Sequence, residues 1–155
     1  KRFPIRGDLM DAIAKEEKVE FQPGDIMLLR TGWMRWYLGI TLEEKEAAHE
    51  RDEAAGGIEC PGIDNDKETA GWLWDRQFSL LFADNQAVEA LRTEGSDFQH
   101  RRIIALFGMG VGELLDFEAL SEDCAQDGVY ECMVTAKPVN IPGACGSPAH
   151  AYVIK

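Results

Sequence analysis

The chain has 155 residues, with 28 acidic side chains against 16 basic ones and a net charge of -12. Its apolar content of 45% suits one soluble domain with a core of its own, taken as residues 1–155. The acidic balance excludes a nucleic-acid binder and a protein that docks on an anionic membrane, and no run is apolar enough to span a bilayer.

The four cysteines are Cys60, Cys124, Cys132 and Cys145. None forms a CxxC pair, so a zinc ribbon is not expected. They read as reduced thiols of a cytoplasmic protein. The chain opens without a Met and shows no signal peptide, which reads as a processed or truncated polypeptide.

Lys1 to Arg6 is a basic, extended lead. Asp8 is expected to cap a helix running to about Lys18, with Leu9, Ile13 and Met10 facing inward. Pro23-Gly24-Asp25 makes a turn. Ile26 to Leu29 is a short apolar run of the buried-strand type. It ends in Arg30-Thr31-Gly32-Trp33, which places an Arg, a Thr and an aromatic where α/β proteins put ligand contacts. The alternative is that Trp33 is core and Arg30 pairs with a surface carboxylate.

One or two aromatic-rich helical turns follow from Trp33 to Leu38. Thr41 and Glu44 have capping-box spacing ahead of a helix from Leu42 to about Glu53. That helix is charged almost all round and should be solvated, His49 included. Cys60 to Asp64 reads as a loop. Asp66 caps a helix from Lys67 to about Arg76, with Ala70, Leu73 and Trp74 on one face. Phe78 to Ala83 is a second buried strand, ending at Asp84-Asn85, and Ala87 to Leu91 is a short helix. Asp84 and Glu89 could form a catalytic carboxylate pair, but turn capping and helix N-terminal charge are the preferred roles.

Ser96 and Gln99 again have capping-box spacing, so a helix is expected to start near Asp97, with His100 in its first turn and Gly108 as its stop. Gly110 and Gly112 let the backbone pass close to a neighbour. Glu113 follows in an apolar run, where a carboxylate is costly to bury unless it is paired, protonated or metal-bound. His100 and Glu113 are therefore brought together from two elements, as a functional pair or as two ordinary polar residues. Asp116 caps a short helix to Leu120, with a further turn at 121–126. Val129 to Ala136 and Ala149 to Ile154 are strands, joined by a Pro- and Gly-dense loop. The backbone N–H groups of that loop, near Gly146 and Ser147, can meet a ligand carbonyl or carboxylate. His150 more simply packs.

Four segments, in order, resemble the cyclase family, which includes the kynurenine formamidases and isatin hydrolases. They are Pro23-Gly-Asp-Ile-Met-Leu-Leu-Arg-Thr-Gly-Trp33, the stretch from Pro61-Gly-Ile to Ala83-Asp-Asn-Gln-Ala-Val-Glu89, His100 with Phe107-Gly-Met-Gly-Val-Gly-Glu113-Leu-Leu-Asp-Phe-Glu-Ala-Leu120, and Ala136 to Ile154. The resemblance runs from about Asp8 to Ile154. It implies a mixed α/β, swivelling β/β/α fold, of which this chain would be the C-terminal portion, and an oligomer. It implies hydrolysis of amides, formamides or cyclic imides and lactams with a divalent metal, zinc or manganese. On this resemblance His100 and Glu113 are metal ligands, and Arg30, Thr31, Trp33, Gly146 and Ser147 are candidates for substrate contact.

The family's upstream HxGTHxDxPxH motif, which carries most of its metal ligands and its catalytic His, finds no match among the three histidines of this chain. The expectation is thus an enzyme when complete, or a non-catalytic association module. Its partners would be a small amide or lactam and a second copy or the missing N-terminal segment.

Overall fold

In the computed structural model, which describes residues 1–92 and 98–155, short parallel strands alternate with helices. Strand β1 (Phe3–Ile5) leads into helix α1 (Gly7–Glu17), strand β2 (Ile26–Leu29), and helices α2 (Trp33–Gly39) and α3 (Leu42–Ala54). Strand β3 (Pro61–Ile63), helix α4 (Lys67–Arg76) and strand β4 (Leu80–Ala83) follow. A π-helical turn (Arg101–Leu106) then precedes strand β5 (Gly110–Gly112), helix α5 (Glu118–Asp127) and the hairpin of β6 (Met133–Ala136) with β7 (Ala151–Ile154). The mixed α/β class expected from the sequence is the one observed.

Three strands form a parallel sheet in the order β2-β4-β5, and β1 pairs with β3, also in parallel. Parallel strands carry apolar residues on both faces because helices or loops cover them. Here Met27, Leu29, Leu81 and Ala83 from the sheet meet Ile5, Met10, Ile63, Leu73, Val88, Ile103 and Met109 in one core. Gly110 and Gly112 are used as expected. A Cβ on Gly112 would lie 2.6 Å from the buried Phe82 ring, so glycine there lets β5 lie flush on β4, whereas at Gly110 the neighbour at 2.6 Å is the tip of the Leu80 side chain, which can turn aside.

Local signals held where capping chemistry was explicit. Thr41 accepts from Glu44 N, and the Glu44 side chain accepts from Thr41 N, which completes the capping box of α3. No residue of α3 is buried, so its all-round charge is a solvated surface. Asp66 caps α4 through Thr69 N at 2.7 Å. Gly108, at φ +69°, ends its helix in the left-handed conformation.

Other expectations are corrected. Asp8 lies inside α1, where its carboxylate accepts from Leu9 N, and the cap position is Arg6. Gly7, Met10 and Ala14 are the buried positions of α1, whereas Leu9 and Ile13 are exposed. Trp74 is exposed, leaning on Phe107 with ring centres 5.1 Å apart, while Trp72 packs against Phe21 and Phe78. The loop expected at 60–64 contains β3. Residues 87–91 form no helix; they run alongside β3 through the bridges Ile63–Glu89 and Cys60–Leu91. The capping residue Ser96 and the helix start near Asp97 lie outside the described residues. No helix among the described residues is long and apolar enough to cross a membrane.

Candidate functional site

Because β2, β4 and β5 are parallel, their C-terminal ends share one edge of the sheet. Three chain reversals start there, and such edges are where open α/β sheets place ligands. β4 delivers Asp84 and Asn85, β2 delivers Arg30 to Trp33, and β5 delivers Glu113. The carbonyls of Asn85 and Ala83 accept from Leu114 N and Leu115 N, which ties the turn after Glu113 to the end of β4.

His100 reaches this edge from the helix before β5. Its neighbour Gln99 is fully buried, and the Gln99 amide donates to the carbonyls of Asp64 and Asp66, both at 2.7 Å. That double anchor fixes the helix start and aims His100 at the sheet. The helix is wound as a π-turn, with Phe107 N donating to Arg102 O, a geometry often found at functional sites.

The imidazole of His100 lies between two carboxylates. Its Nε2 is 2.9 Å from Glu113 Oε1, and its Nδ1 is in contact with Glu89 Oε2. Hydrogen bonding to Glu113 and then to Glu89 pushes the His100 pKa up to about 10, against the opposing effect of burial. Glu113 Oε1 also accepts from Val88 N at 3.2 Å. The two carboxylates differ in access: the Glu113 side chain is 29% exposed and that of Glu89 is 1% exposed. Glu89 Oε1 and the side-chain oxygens of Asn65 and Asn85 are buried without a hydrogen-bond partner.

The structure thus brings together the two residues expected to bind metal. In a tetrahedral site two ligands, each about 2.0–2.2 Å from an ion, sit roughly 3.3–3.5 Å apart. The 2.9 Å between His100 Nε2 and Glu113 Oε1 is that of a direct hydrogen bond, so the two side chains would part by about 0.5 Å to take adjacent positions around an ion. No three His, Cys, Asp or Glu side chains among the described residues are arranged to hold an ion.

The remaining candidates separate. Thr31 is at the same edge, with its hydroxyl and N–H both 2.7 Å from Asp84 Oδ1. Arg30 is held by Glu118 in a bidentate pair at 2.9 and 2.8 Å. Trp33 is buried and stacked on Tyr37, with ring centres 4.9 Å apart. Gly146 and Ser147 lie between β6 and β7, where the Ser147 hydroxyl accepts from Val139 N. His49 pairs with Glu53 on the surface of α3. A cleft of about 650 Å³ runs along β2 and between α1 and α5, lined by Met27, Leu29, Phe117 and Leu120, and contains none of the triad formed by Glu89, His100 and Glu113.

Sequence reasoning placed Asp84 correctly as a turn-capping carboxylate but gave Glu89 the wrong role. Glu89 was read as the charge of a short helix, yet the segment is extended against β3. The available signal was its setting, since Ala87, Val88, Ala90 and Leu91 are all apolar and a carboxylate among them calls for a partner. Gly62 makes the arrangement possible. A Cβ there would lie 2.4 Å from the Glu89 carbonyl carbon and 2.6 Å from Val88 O. Gly62→Ala is expected to cost about 3 kcal/mol, the upper end for overpacking because backbone has to move, measured as a shift in the urea midpoint.

The Cyclase family model, described as "Putative cyclase", matches residues 2–90, more than half of the chain. A crystal structure described as that of a novel cyclase superposes with a TM-score of 0.83 at 27% identity over 99% of this chain. The chain spans about half of that protein, 47% of its length. No curated protein matches the chain by sequence.

Proposed function

Since this chain belongs to the cyclase family, we propose that it is the part of a metal-dependent hydrolase that supplies two metal ligands, His100 and Glu113. The observation that carries this reading is their convergence, 2.9 Å apart, at the C-terminal edge of the parallel sheet. A bound zinc or manganese ion would lower the pKa of a coordinated water to about 7 and polarise a carbonyl. The substrate class is an amide, a formamide or a cyclic imide or lactam.

In this reading Glu113 offers the more accessible carboxylate, and His100 offers Nε2. Thr31 lies on the same edge, but its N–H and hydroxyl are both held by Asp84, so it would shape the edge from beneath. Arg30 is occupied by Glu118 and Trp33 by packing, so both act on the shape of the edge. Gly146 and Ser147 would contribute from the hairpin loop. The remaining ligands would come from another segment or another copy of the chain, and the protein would work in the cytoplasm with its thiols reduced.

That no third donor joins them among the described residues also supports a second reading, a non-catalytic association module. Manganese titration followed by electron paramagnetic resonance separates the two. The hydrolase reading expects manganese uptake that His100→Ala and Glu113→Gln each weaken at least about tenfold, and metal-dependent cleavage of an aryl formamide once the partner segment is supplied. Uptake that neither substitution changes would sink it in favour of the association module.

A further inference from the structure

We propose that Glu89 is a positioning residue whose buried carboxylate holds His100 by Nδ1, so that Nε2 faces Glu113 and the ion they share. The inference rests on the metal-binding reading of His100 and Glu113, and it assigns the third member of the triad a task that reading leaves open.

The argument begins with the difference between the two carboxylates. Glu113 reaches solvent, as a ligand with room for an ion must. Glu89 does not: its side chain is walled in, at 1% exposure. Its backbone is pinned from both sides, because Ile63 N donates to Val88 O at 2.9 Å and Ala90 N donates to Ile63 O at 2.8 Å. The Cys60 thiol lies 3.9 Å from Glu89 O, and Gly62 lets β3 press against the same peptide. A carboxylate so fixed meets one imidazole nitrogen and cannot follow the ring if it turns.

The chemical consequence follows from the imidazole itself. A neutral ring that donates from Nδ1 carries its lone pair on Nε2. Ligating histidines commonly use a carboxylate in this way, and it sets both the tautomer and the plane of the ring. Gln99 fixes where the helix starts, and Glu89 fixes how the ring is turned. The orientation of Nε2 is thereby set before any ion arrives.

The test uses the 155-residue chain labelled with nitrogen-15, zinc as the probe, and long-range proton–nitrogen correlation of the imidazole. In the unsubstituted chain, zinc is expected to move the Nε2 resonance of His100 while Nδ1 keeps its proton. Glu89→Gln preserves shape, so its circular dichroism should be unchanged, but zinc should bind about 10- to 100-fold more weakly and the His100 tautomers should mix. Equal zinc affinity in Glu89→Gln, or a proton on Nε2 with the ion on Nδ1 in the unsubstituted chain, overturns the role of Glu89 and leaves the metal reading standing. A His100 signal that zinc does not move overturns the metal reading, and the role of Glu89 with it.

Discussion

Raising the pH from about 7 towards 11 will destabilise the metal-free chain, and His100→Ala will remove that part of the pH dependence. The cause is the imidazole between Glu113 and Glu89, whose folded pKa is pushed up to about 10 from the ordinary 6.5. Below 6.5 the ring is protonated in both the folded and the unfolded chain, so the stabilisation is complete. Between 6.5 and about 10 the folded chain holds a proton that the unfolded chain does not, so stability falls as pH rises. Above about 10 the contribution is gone. Its size should be on the order of 2 kcal/mol, after discounting full linkage for the part of the ring that solvent reaches. Urea unfolding at pH 7, 8.5 and 10 reads it directly.

The same proton stands where an ion would bind. On the proposed metal-binding reading, zinc or manganese would have to displace it from Nε2, so metal uptake should release a proton and strengthen with pH across that window. The two curves are therefore opposed: metal-free stability falls while metal affinity climbs. A metal affinity flat from pH 7 to 9 would mean that the ion does not compete for the His100 proton.

The site was legible in the sequence to the extent that its chemistry was local. Gly108, Gly110 and Gly112 announce a helix stop and a strand that must lie close to its neighbour, and both follow from the absence of a Cβ. The meeting of His100 and Glu113 could be expected from their elements and from family resemblance; spacing alone did not require it. Glu89 was out of reach for a physical reason. Ala87-Val88-Glu89-Ala90-Leu91 has good local helix formers, and what keeps it extended is its partner β3, more than twenty residues earlier in the chain. The pairing of β1 with β3 is non-local in the same sense. Three-residue strands such as Phe3–Ile5 and Pro61–Ile63 are too short to show a period. Trp74 looked like core because its helical phase matches Ala70 and Leu73, but it is placed against Phe107 at the surface.

Asp84→Ala is expected to cost about 3–5 kcal/mol, the largest effect of any single substitution proposed. Asp84 is fully buried, and its carboxylate carries the turn after β2. Oδ1 accepts from Thr31 N and the Thr31 hydroxyl, both at 2.7 Å, and Oδ2 accepts from Gly32 N at 2.8 Å. Gly32 is held there at φ +81°, the left-handed position from which α2 departs. Alanine would leave two backbone N–H groups and a hydroxyl without their acceptor, each loss worth about 1–3 kcal/mol and partly recovered by water entering the gap. Asp84→Asn keeps the volume and one oxygen but aims an amide at an N–H, so roughly half the loss should remain. The readout is the urea midpoint with an unchanged slope. A loss below about 1 kcal/mol for Asp84→Ala would show that packing of Trp33 on Tyr37 holds the turn unaided. A graded loss, alanine above asparagine, would show that the strand-end edge bearing Thr31 and the triad is set by one buried carboxylate.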